Sequence, residues 1–182
     1  MGFAYRACML LTHAALRTFA RWQVEGKEAM PPRGGIILVS NHLSNADPPV
    51  LAASVPRTVY FMAKRGLFQN PLMGLMLRSV GTFPLSRDGQ DVAAVRWALD
   101  SLEKGKVLAV FPEGARSPEG LRRGISGVAY MALKSHAPIL PVAITGTERI
   151  PGFWRIAFPF CRVKVKIGDP FSLPDIEGRV SK

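Results

Sequence analysis

A histidine and an aspartate five residues apart, His42 and Asp47, are the best candidates in this sequence for acid–base chemistry. An imidazole exchanges protons near neutral pH, and a neighbouring carboxylate fixes its tautomer and stabilises the imidazolium that forms. On a helix this spacing would place the two side chains about 140° apart, so they need a turn to meet. Residues 44–48 are turn-forming, and Pro48 disfavours the α region for Asp47. The pair therefore predicts a general base and the group that orients it.

Two structural interpretations compete with catalysis for this pair. Asp47 before Pro48 also has the pattern of a helix N-cap followed by proline at the first helical position. His42 could equally be a core histidine whose ring nitrogens are hydrogen-bonded. Taken alone, the pair does not distinguish these alternatives from a catalytic role.

A second polar segment, residues 111–117, follows directly after a predicted buried strand. Glu113 is unfavourable in such an apolar neighbourhood unless it caps backbone amides, pairs with an arginine or binds a substrate hydroxyl. Gly114 would let another group approach the backbone closely. The structural alternative is a turn closed by an ion pair between Glu113 and Arg116.

Two further segments carry one unusual residue each. Residues 81–88 place Arg87 at the end of a short extended stretch, and the planar guanidinium suits phosphate oxygens, although a surface arginine beside Asp88 would have the same pattern. In residues 137–143, Pro141 interrupts a buried apolar run, which normally argues against a central strand. We interpret Pro141 as a bulge or a sheet edge at the substrate pocket.

The elements that must position these residues alternate along the chain. Short apolar runs predict buried strands, and the alternation in residues 162–167 predicts a strand with one solvent-exposed face. Apolar residues recur at helical spacing in residues 91–104 and 127–135, which predicts two helices. The apolar runs are residues 36–40, 59–63, 107–111 and 139–144. This order predicts a single α/β domain with a mixed, mostly parallel central sheet flanked by helices. In such sheets, sites form in the loops beyond the carboxyl ends of the strands.

The first 24 residues predict an amphipathic helix, so we divide the chain into residues 1–24 and a domain of residues 25–182. The longest uncharged run, residues 7–16, is too short to span a bilayer, which needs about 20 residues. One side carries Arg6, His13, Arg17 and Arg21, and the opposing side carries Leu11, Ala15, Phe19 and Trp22. The apolar side either packs on the domain or lies in a membrane interface. A cleaved signal peptide is a weaker alternative.

The net charge of +11 over 182 residues indicates an anionic partner. The candidates are nucleic acid, an acidic membrane surface and phosphate-bearing substrates. Scattered basic residues and the lack of a recognition motif argue against nucleic acid. Cys8 and Cys161 form neither a disulfide framework nor a zinc motif, which indicates a reducing compartment.

The four segments, in this order, resemble the blocks of the glycerolipid acyltransferases, the family of 1-acylglycerol-3-phosphate acyltransferase. The resemblance covers residues 24–168, with residues 41–47, 81–87, 111–114 and 138–141 as the four blocks. Two positions differ from the common pattern: Ala115 replaces a threonine and Gly66 replaces a glutamate. The family's closing helix is missing, so a truncated form is expected.

The resemblance implies transfer of a fatty acyl group from a thioester, on coenzyme A or acyl carrier protein, to the hydroxyl of 1-acylglycerol-3-phosphate. His42 would be the general base and Asp47 would orient it. The substrate-binding residues would be Arg87, Lys64 and Arg116 for the phosphate, and Glu113, Gly114 and Pro141 around the acceptor and the reacting carbonyl. No metal or redox cofactor is implied, and the donor thioester is a co-substrate.

The expected partners are a lysophospholipid, the acyl thioester and an anionic membrane surface, with the protein on the cytoplasmic face of the membrane. One alternative is an acyltransferase for another lysophospholipid or a glycolipid. Another is a non-catalytic module that binds anionic membranes, for which His42, Asp47 and Glu113 would be dispensable. A serine lipid hydrolase is disfavoured because the sequence contains no Gly-x-Ser-x-Gly motif.

Overall fold

The computed structural model describes residues 2–86, 91–117, 124, 126–150 and 153–174. The strands in these residues are β1 (Arg21–Glu25), β2 (Ile36–Ser40), β3 (Val59–Lys64), β4 (Thr82–Leu85), β5 (Val107–Val110), β6 (Ile139–Thr145) and β7 (Arg162–Ile167). The α-helices are α1 (Phe3–Phe19), α2 (Asp47–Ser54), α3 (Pro71–Ser79), α4 (Val92–Glu103) and α5 (Gly127–Ser135).

The strands form one sheet in the order β1-β7-β6-β2-β5-β3-β4. Every neighbouring pair is parallel except β6 and β7. Strands β2, β3, β5 and β6 therefore end at the same edge of the sheet, which we call the carboxyl edge. Because β7 runs antiparallel to β6, both β7 and its parallel neighbour β1 begin at this edge. The predicted α/β fold with a mixed, mostly parallel sheet is confirmed.

The central strand β2 packs a different core on each side of the sheet. Ile36 and Leu38 lie in a core with Leu16 of α1 and Leu51 of α2. Ile37 faces the other core, which includes Leu102 of α4 and Met131 of α5. Alternate residues of a strand point to opposite faces, so an uninterrupted apolar run is what a strand with helices on both faces requires.

Two helices begin at side-chain caps. The side-chain oxygen Oδ1 of Asn70 accepts a hydrogen bond from the amide of Met73, and Pro71 occupies the first position of α3. Asp91 accepts from the amide of Ala94 at the start of α4. Both caps satisfy amides that have no partner within the helix.

The predicted N-terminal helix is too long by several residues. α1 ends at Phe19, and Arg21–Glu25 forms β1 beside β7, with Arg21 opposite Arg162. Trp22 and Val24 pack against the core while Arg21, Gln23 and Glu25 are exposed, and this period of two belongs to a strand. The predicted apolar side does not pack on the domain as a whole, because Leu11 is 70% exposed. The division of the chain at residue 24 stays a prediction.

α1 is nevertheless attached to the domain by a polar contact as well as by its apolar residues. The Tyr5 hydroxyl accepts a hydrogen bond from the amide of Val59 at the start of β3. Burial raises the pKa of this phenol above its ordinary value. Tyr5, Thr12, Ala15 and Leu16 form the buried side of the helix. No helix in the described part of the chain is long and apolar enough to cross a membrane.

Candidate active site

The predicted contact between His42 and Asp47 is present at the end of β2. His42 Nδ1 lies 2.8 Å from Asp47 Oδ2, and the carboxylate is fully buried while the imidazole is partly exposed. A carboxylate at Nδ1 favours the tautomer with the proton on that nitrogen, so Nε2 carries the lone pair. Nε2 is therefore the nitrogen that can take a proton from a substrate.

Asp47 also closes the turn that brings it back to His42. The same oxygen, Oδ2, accepts hydrogen bonds from the amides of Leu43 and Ser44 at 2.6 and 2.8 Å. These donors give the buried carboxylate two hydrogen bonds besides its contact with His42. Asp47 is the first residue of α2 and not its N-cap, which is Ala46. The expectation that Pro48 would keep Asp47 out of the helix is wrong.

The loop after β5 holds the backbone of His42 on one side. The His42 amide donates to Glu113 Oε1 at 3.3 Å, and the His42 carbonyl accepts from the amide of Ser117 at 2.7 Å. Between these points, the amide of Gly114 closes a tight turn onto the carbonyl of Phe111, and Gly114 has a φ of 65° that favours glycine. One of the roles predicted for Glu113, capping a backbone amide, is thus observed.

An aromatic ring supports the imidazole itself. Phe111 stacks on His42 with 4.3 Å between ring centroids and 24° between the planes. The ring of Phe61, in β3, is nearly parallel to the ring of Phe111, with 6.4 Å between the ring centroids. The stacked rings restrict the tilt of the imidazole, while Asp47 restricts its rotation.

The end of β6 holds the turn on the other side through two residues that the sequence analysis did not assign. Asn41 Nδ2 donates to the Ile144 carbonyl, and Asn41 Oδ1 accepts from the Ile144 amide, both at 2.8 Å. The Ser44 hydroxyl donates to the Ile150 carbonyl at 2.8 Å. The Asn41 side chain therefore adds a pair of hydrogen bonds between β2 and β6 beyond the last backbone pair of these strands. The sequence feature that could have indicated this role of Asn41 is its position, at the end of a predicted strand and directly before the histidine.

The remaining predicted substrate-binding residues lie at several places in the fold. Lys64 is the exposed last residue of β3, and Arg116 is exposed in the loop after β5, so both are at the carboxyl edge. Arg87 lies outside the described residues. The substrate-binding role of each of these residues stays a prediction.

Pro141 does not lie at the outer edge of the sheet, but it does lie beside a bulge, as expected. It lies within β6 opposite Val39, between two neighbouring strands of the sheet. On the side of β7, Val142 pairs with Ile167 and Ile139 pairs with Phe171, so the second strand has one extra residue between the two pairs. This bulge lies opposite Pro141, whose carbonyl accepts a hydrogen bond from the Gly168 amide. The missing N–H of proline therefore falls where the regular ladder is interrupted, which is why an inner strand tolerates it.

Among the described residues, no three His, Cys, Asp or Glu side chains form a group that could hold a metal ion. The arrangement instead presents an oriented imidazole between two loops at the carboxyl edge. Such a group can deprotonate a hydroxyl as that hydroxyl attacks a carbonyl carbon. Whether the protein needs a cofactor stays a prediction.

Comparison with known proteins identifies the family of this arrangement. The chain is 28% identical over 181 residues to the 1-acyl-sn-glycerol-3-phosphate acyltransferase of Bacillus subtilis, covering 98% of this chain and 87% of that protein. It is 32% identical over 143 residues to the enzyme of the same name from Streptococcus pneumoniae, covering 78% of this chain but only 52% of that protein. The crystal structure of the 1-acyl-sn-glycerophosphate (LPA) acyltransferase from Thermotoga maritima superposes with a TM-score of 0.72 at 27% identity, covering 98% of this chain and 72% of that one.

The family profile described as Acyltransferase matches residues 21–145. This span includes the whole turn from His42 to Asp47, the loop after β5 that holds it, and Ile144, to which Asn41 is bound. The chain therefore belongs to the acyltransferase family.

Proposed function

We propose that the protein transfers a fatty acyl group from an acyl thioester to the free hydroxyl of 1-acylglycerol-3-phosphate, forming phosphatidic acid for phospholipid biosynthesis. The observation that carries the proposal is the contact between His42 Nδ1 and the buried Asp47 carboxylate at the carboxyl edge. The names of the relatives from Bacillus subtilis and Streptococcus pneumoniae support this choice of acceptor.

In this reaction, His42 Nε2 takes the proton of the acceptor hydroxyl as the oxygen attacks the thioester carbonyl. Asp47 stabilises the imidazolium while the tetrahedral intermediate forms. The carbon–sulfur bond then breaks, the acyl group stays on the acceptor oxygen, and the proton on His42 passes to the departing thiolate. A general base of this kind contributes about 10²–10⁴-fold to the rate. No acyl-enzyme is required, because the thioester is already activated.

The acceptor phosphate is bound by basic residues at the same edge. Lys64 is exposed at the end of β3 and Arg116 is exposed in the loop after β5, so both cations lie at the carboxyl edge. Arg87 supplies a third cation after β4. A guanidinium can bind two phosphate oxygens at once, whereas the Lys64 ammonium acts as a point charge. Glu113 and Gly114 shape the acceptor site beside the His42 backbone.

The protein acts at the cytoplasmic face of the membrane, where its acceptor is embedded. α1 turns Leu10 and Leu11 outward, 71% and 70% exposed, next to Arg6 and Arg17. An exposed apolar strip beside arginines is typical of a helix lying in the interface of an anionic membrane. The net charge of +11 adds attraction to the anionic cytoplasmic leaflet.

The decisive experiment is an acyl-transfer assay with purified protein, lysophosphatidic acid and an acyl thioester, monitored by free thiol and by diacylated product. Acyl-CoA and acyl carrier protein thioesters are compared in parallel, because both supply the same reacting bond. His42→Ala should lower the activity at least about 10²-fold. The control is His13→Ala in α1, a second partly buried histidine whose Nδ1 lies 2.7 Å from the carbonyl oxygen of Met9.

A fully active His42→Ala protein would overturn the mechanism. Wild-type protein that binds vesicles but gives no product with either thioester would favour the non-catalytic membrane-binding alternative. Product with another lysophospholipid, and none with lysophosphatidic acid, would change the acceptor while leaving the role of His42 intact.

A further inference from the structure

Three phenylalanine rings form a cluster at the end of α1, and two of them are exposed. We call it the aromatic platform; its members are Phe19, Phe158 and Phe160. Phe19 lies 5.0 Å from Phe158 and 5.4 Å from Phe160 between ring centroids, and the latter two are 6.5 Å apart. Phe158 and Phe160 are 54% and 69% exposed. Phe19 is half-buried, whereas Phe158 and Phe160 remain largely in solvent, which is unfavourable in water alone.

The backbone holds these rings outward. Phe160 has a φ of 33°, in the left-handed region that few residues other than glycine adopt. Pro159, between the two rings, is buried, and the Cys161 carbonyl accepts a hydrogen bond from the amide of Arg21. The segment is therefore anchored at Pro159 and Cys161 while both rings point away from the core. A strained, exposed aromatic residue indicates a function other than packing.

The platform lies at the carboxyl edge, which also carries His42. Phe19 lies two residues before the start of β1, and Phe160 lies two residues before the start of β7. Both strands begin at this edge. The segment after β6 also contacts the catalytic turn directly, through the bond from the Ser44 hydroxyl to the Ile150 carbonyl.

The charges around the platform are almost all positive. The segments 17–24 and 149–162 contain Arg17, Arg21, Arg149, Arg155 and Arg162, and neither contains an aspartate or a glutamate. The nearest acidic residues along the chain are Glu25, which forms an ion pair with Lys164, and Glu148, whose carboxylate accepts a hydrogen bond from the Gly146 amide. Exposed rings bordered by arginines match the boundary between acyl chains and anionic headgroups.

We propose that the aromatic platform is a second membrane-contacting surface, separate from the outward side of α1. The three rings enter the interface of an anionic bilayer, and the surrounding arginines bind lipid phosphates. Because the platform shares the carboxyl edge with His42, it holds the active site against the bilayer that contains the acceptor. The inference rests on the proposed function in one respect, namely that the acceptor is a membrane lipid. An acidic carrier protein would also suit the arginines, but it does not account for two exposed rings packed on Phe19.

The test uses the full chain and vesicles of phosphatidylcholine with phosphatidylglycerol, without substrate. The variant is Phe158→Ala with Phe160→Gly, since glycine suits the left-handed backbone and removes the ring without adding strain. Vesicle partitioning should fall about tenfold or more. The control is Phe171→Ala, a phenylalanine that is 47% exposed but bridges to Ile139 at the opposite edge. It should bind vesicles like the wild type, and circular dichroism should confirm that both variants are folded.

A second measurement separates this inference from the proposed function. With a short-chain, water-soluble lysophosphatidic acid, the platform variant should keep the wild-type kcat/KM, whereas its rate on vesicle-embedded acceptor should fall with the binding. Unchanged vesicle binding by the folded platform variant would overturn the inference, even if the protein is an active acyltransferase. So would a variant that binds vesicles normally but loses binding to acyl carrier protein. If no turnover is found with any acceptor, the vesicle measurement still decides the role of the platform.

Discussion

At His42, the ring and the backbone are fixed by different parts of the molecule. Asp47 and Phe111 hold the ring, while Glu113 and Ser117 hold the amide and the carbonyl. The buried carboxylate uses one oxygen for all three of its hydrogen bonds, and its other oxygen has no partner among the described residues. Small changes at this one oxygen should therefore affect both the turn and the imidazole.

Replacing Asp47 with asparagine tests orientation directly. The amide oxygen of Asp47→Asn can still accept from the Leu43 and Ser44 amides, so the turn should survive. The neutral side chain no longer stabilises the imidazolium, and kcat should fall about 10²–10⁴-fold with little change in KM. Steady-state kinetics with circular dichroism as the folding check measure this. Wild-type kcat in Asp47→Asn would exclude the orienting role.

Asn41 offers a second test, because it positions the catalytic turn without contacting the imidazole. In Asn41→Ala the amide and carbonyl of the buried Ile144 lose their partners, which costs about 1–3 kcal/mol. We also expect kcat to fall, since the start of the turn is released from β6. Urea unfolding and kinetics measure the two effects separately.

The matched control is Asn70→Ala, which removes a cap of α3 and should cost about 1 kcal/mol. This change should leave kcat unaltered. If Asn41→Ala lowers stability by a similar amount and likewise keeps full kcat, Asn41 is structural only.

At the scale of elements, Asp91 joins the end of β4 to the start of α4. Its carboxylate accepts from the Ser86 amide at 2.7 Å and from the Ala94 amide at 3.0 Å. The carboxylate thus links Ser86, the residue directly before Arg87, to the first turn of α4. The hydrogen bond from the Ser86 amide, followed by that from Ala94, holds the pKa of the Asp91 carboxyl below its ordinary value.

This lowered pKa predicts the direction of a pH effect. The stabilisation by the Asp91 carboxylate is complete above the ordinary carboxyl pKa, near about 4, and is lost as the pH falls through the lower pKa of the folded state. Thermal unfolding should show that Asp91→Asn is less stable than the wild type at pH 7 and that the difference shrinks in strong acid. A difference that stays constant with pH would exclude this contribution.

At the scale of the whole molecule, the outward side of α1 should govern membrane attachment together with the net charge. Leu10→Asp with Leu11→Asp places two charges in the proposed interface, and vesicle partitioning should fall about tenfold or more. The control is Val92→Asp, which adds a charge at an exposed apolar residue of α4, across the sheet. Equal partitioning of the Leu10 and Leu11 double variant and the wild type would contradict the attachment by α1.

The sequence predicted the inner strands well because strands covered on both faces are apolar throughout, as Ile36–Ser40 is. It failed at β1 because Arg21 continues the helical spacing of Arg17, although Trp22 and Val24 alternate as in a strand. The contact of His42 with Asp47 was predictable because one local turn creates it. The contacts of Asn41 with Ile144 and of Phe111 with His42 were not, because they depend on β2 lying between β5 and β6.

The position of β2 in the sheet also determines when catalytic competence arises as the chain folds. Asn41 and Ile144 are 103 positions apart in the sequence, and Ser44 and Ile150 are 106 apart. Contacts between such distant segments require closure of a long loop and therefore form slowly. Helices α1 and α2 can form from local segments much earlier. Activity is thus a late property of this chain, and its recovery after dilution from denaturant should lag behind the recovery of helical circular dichroism.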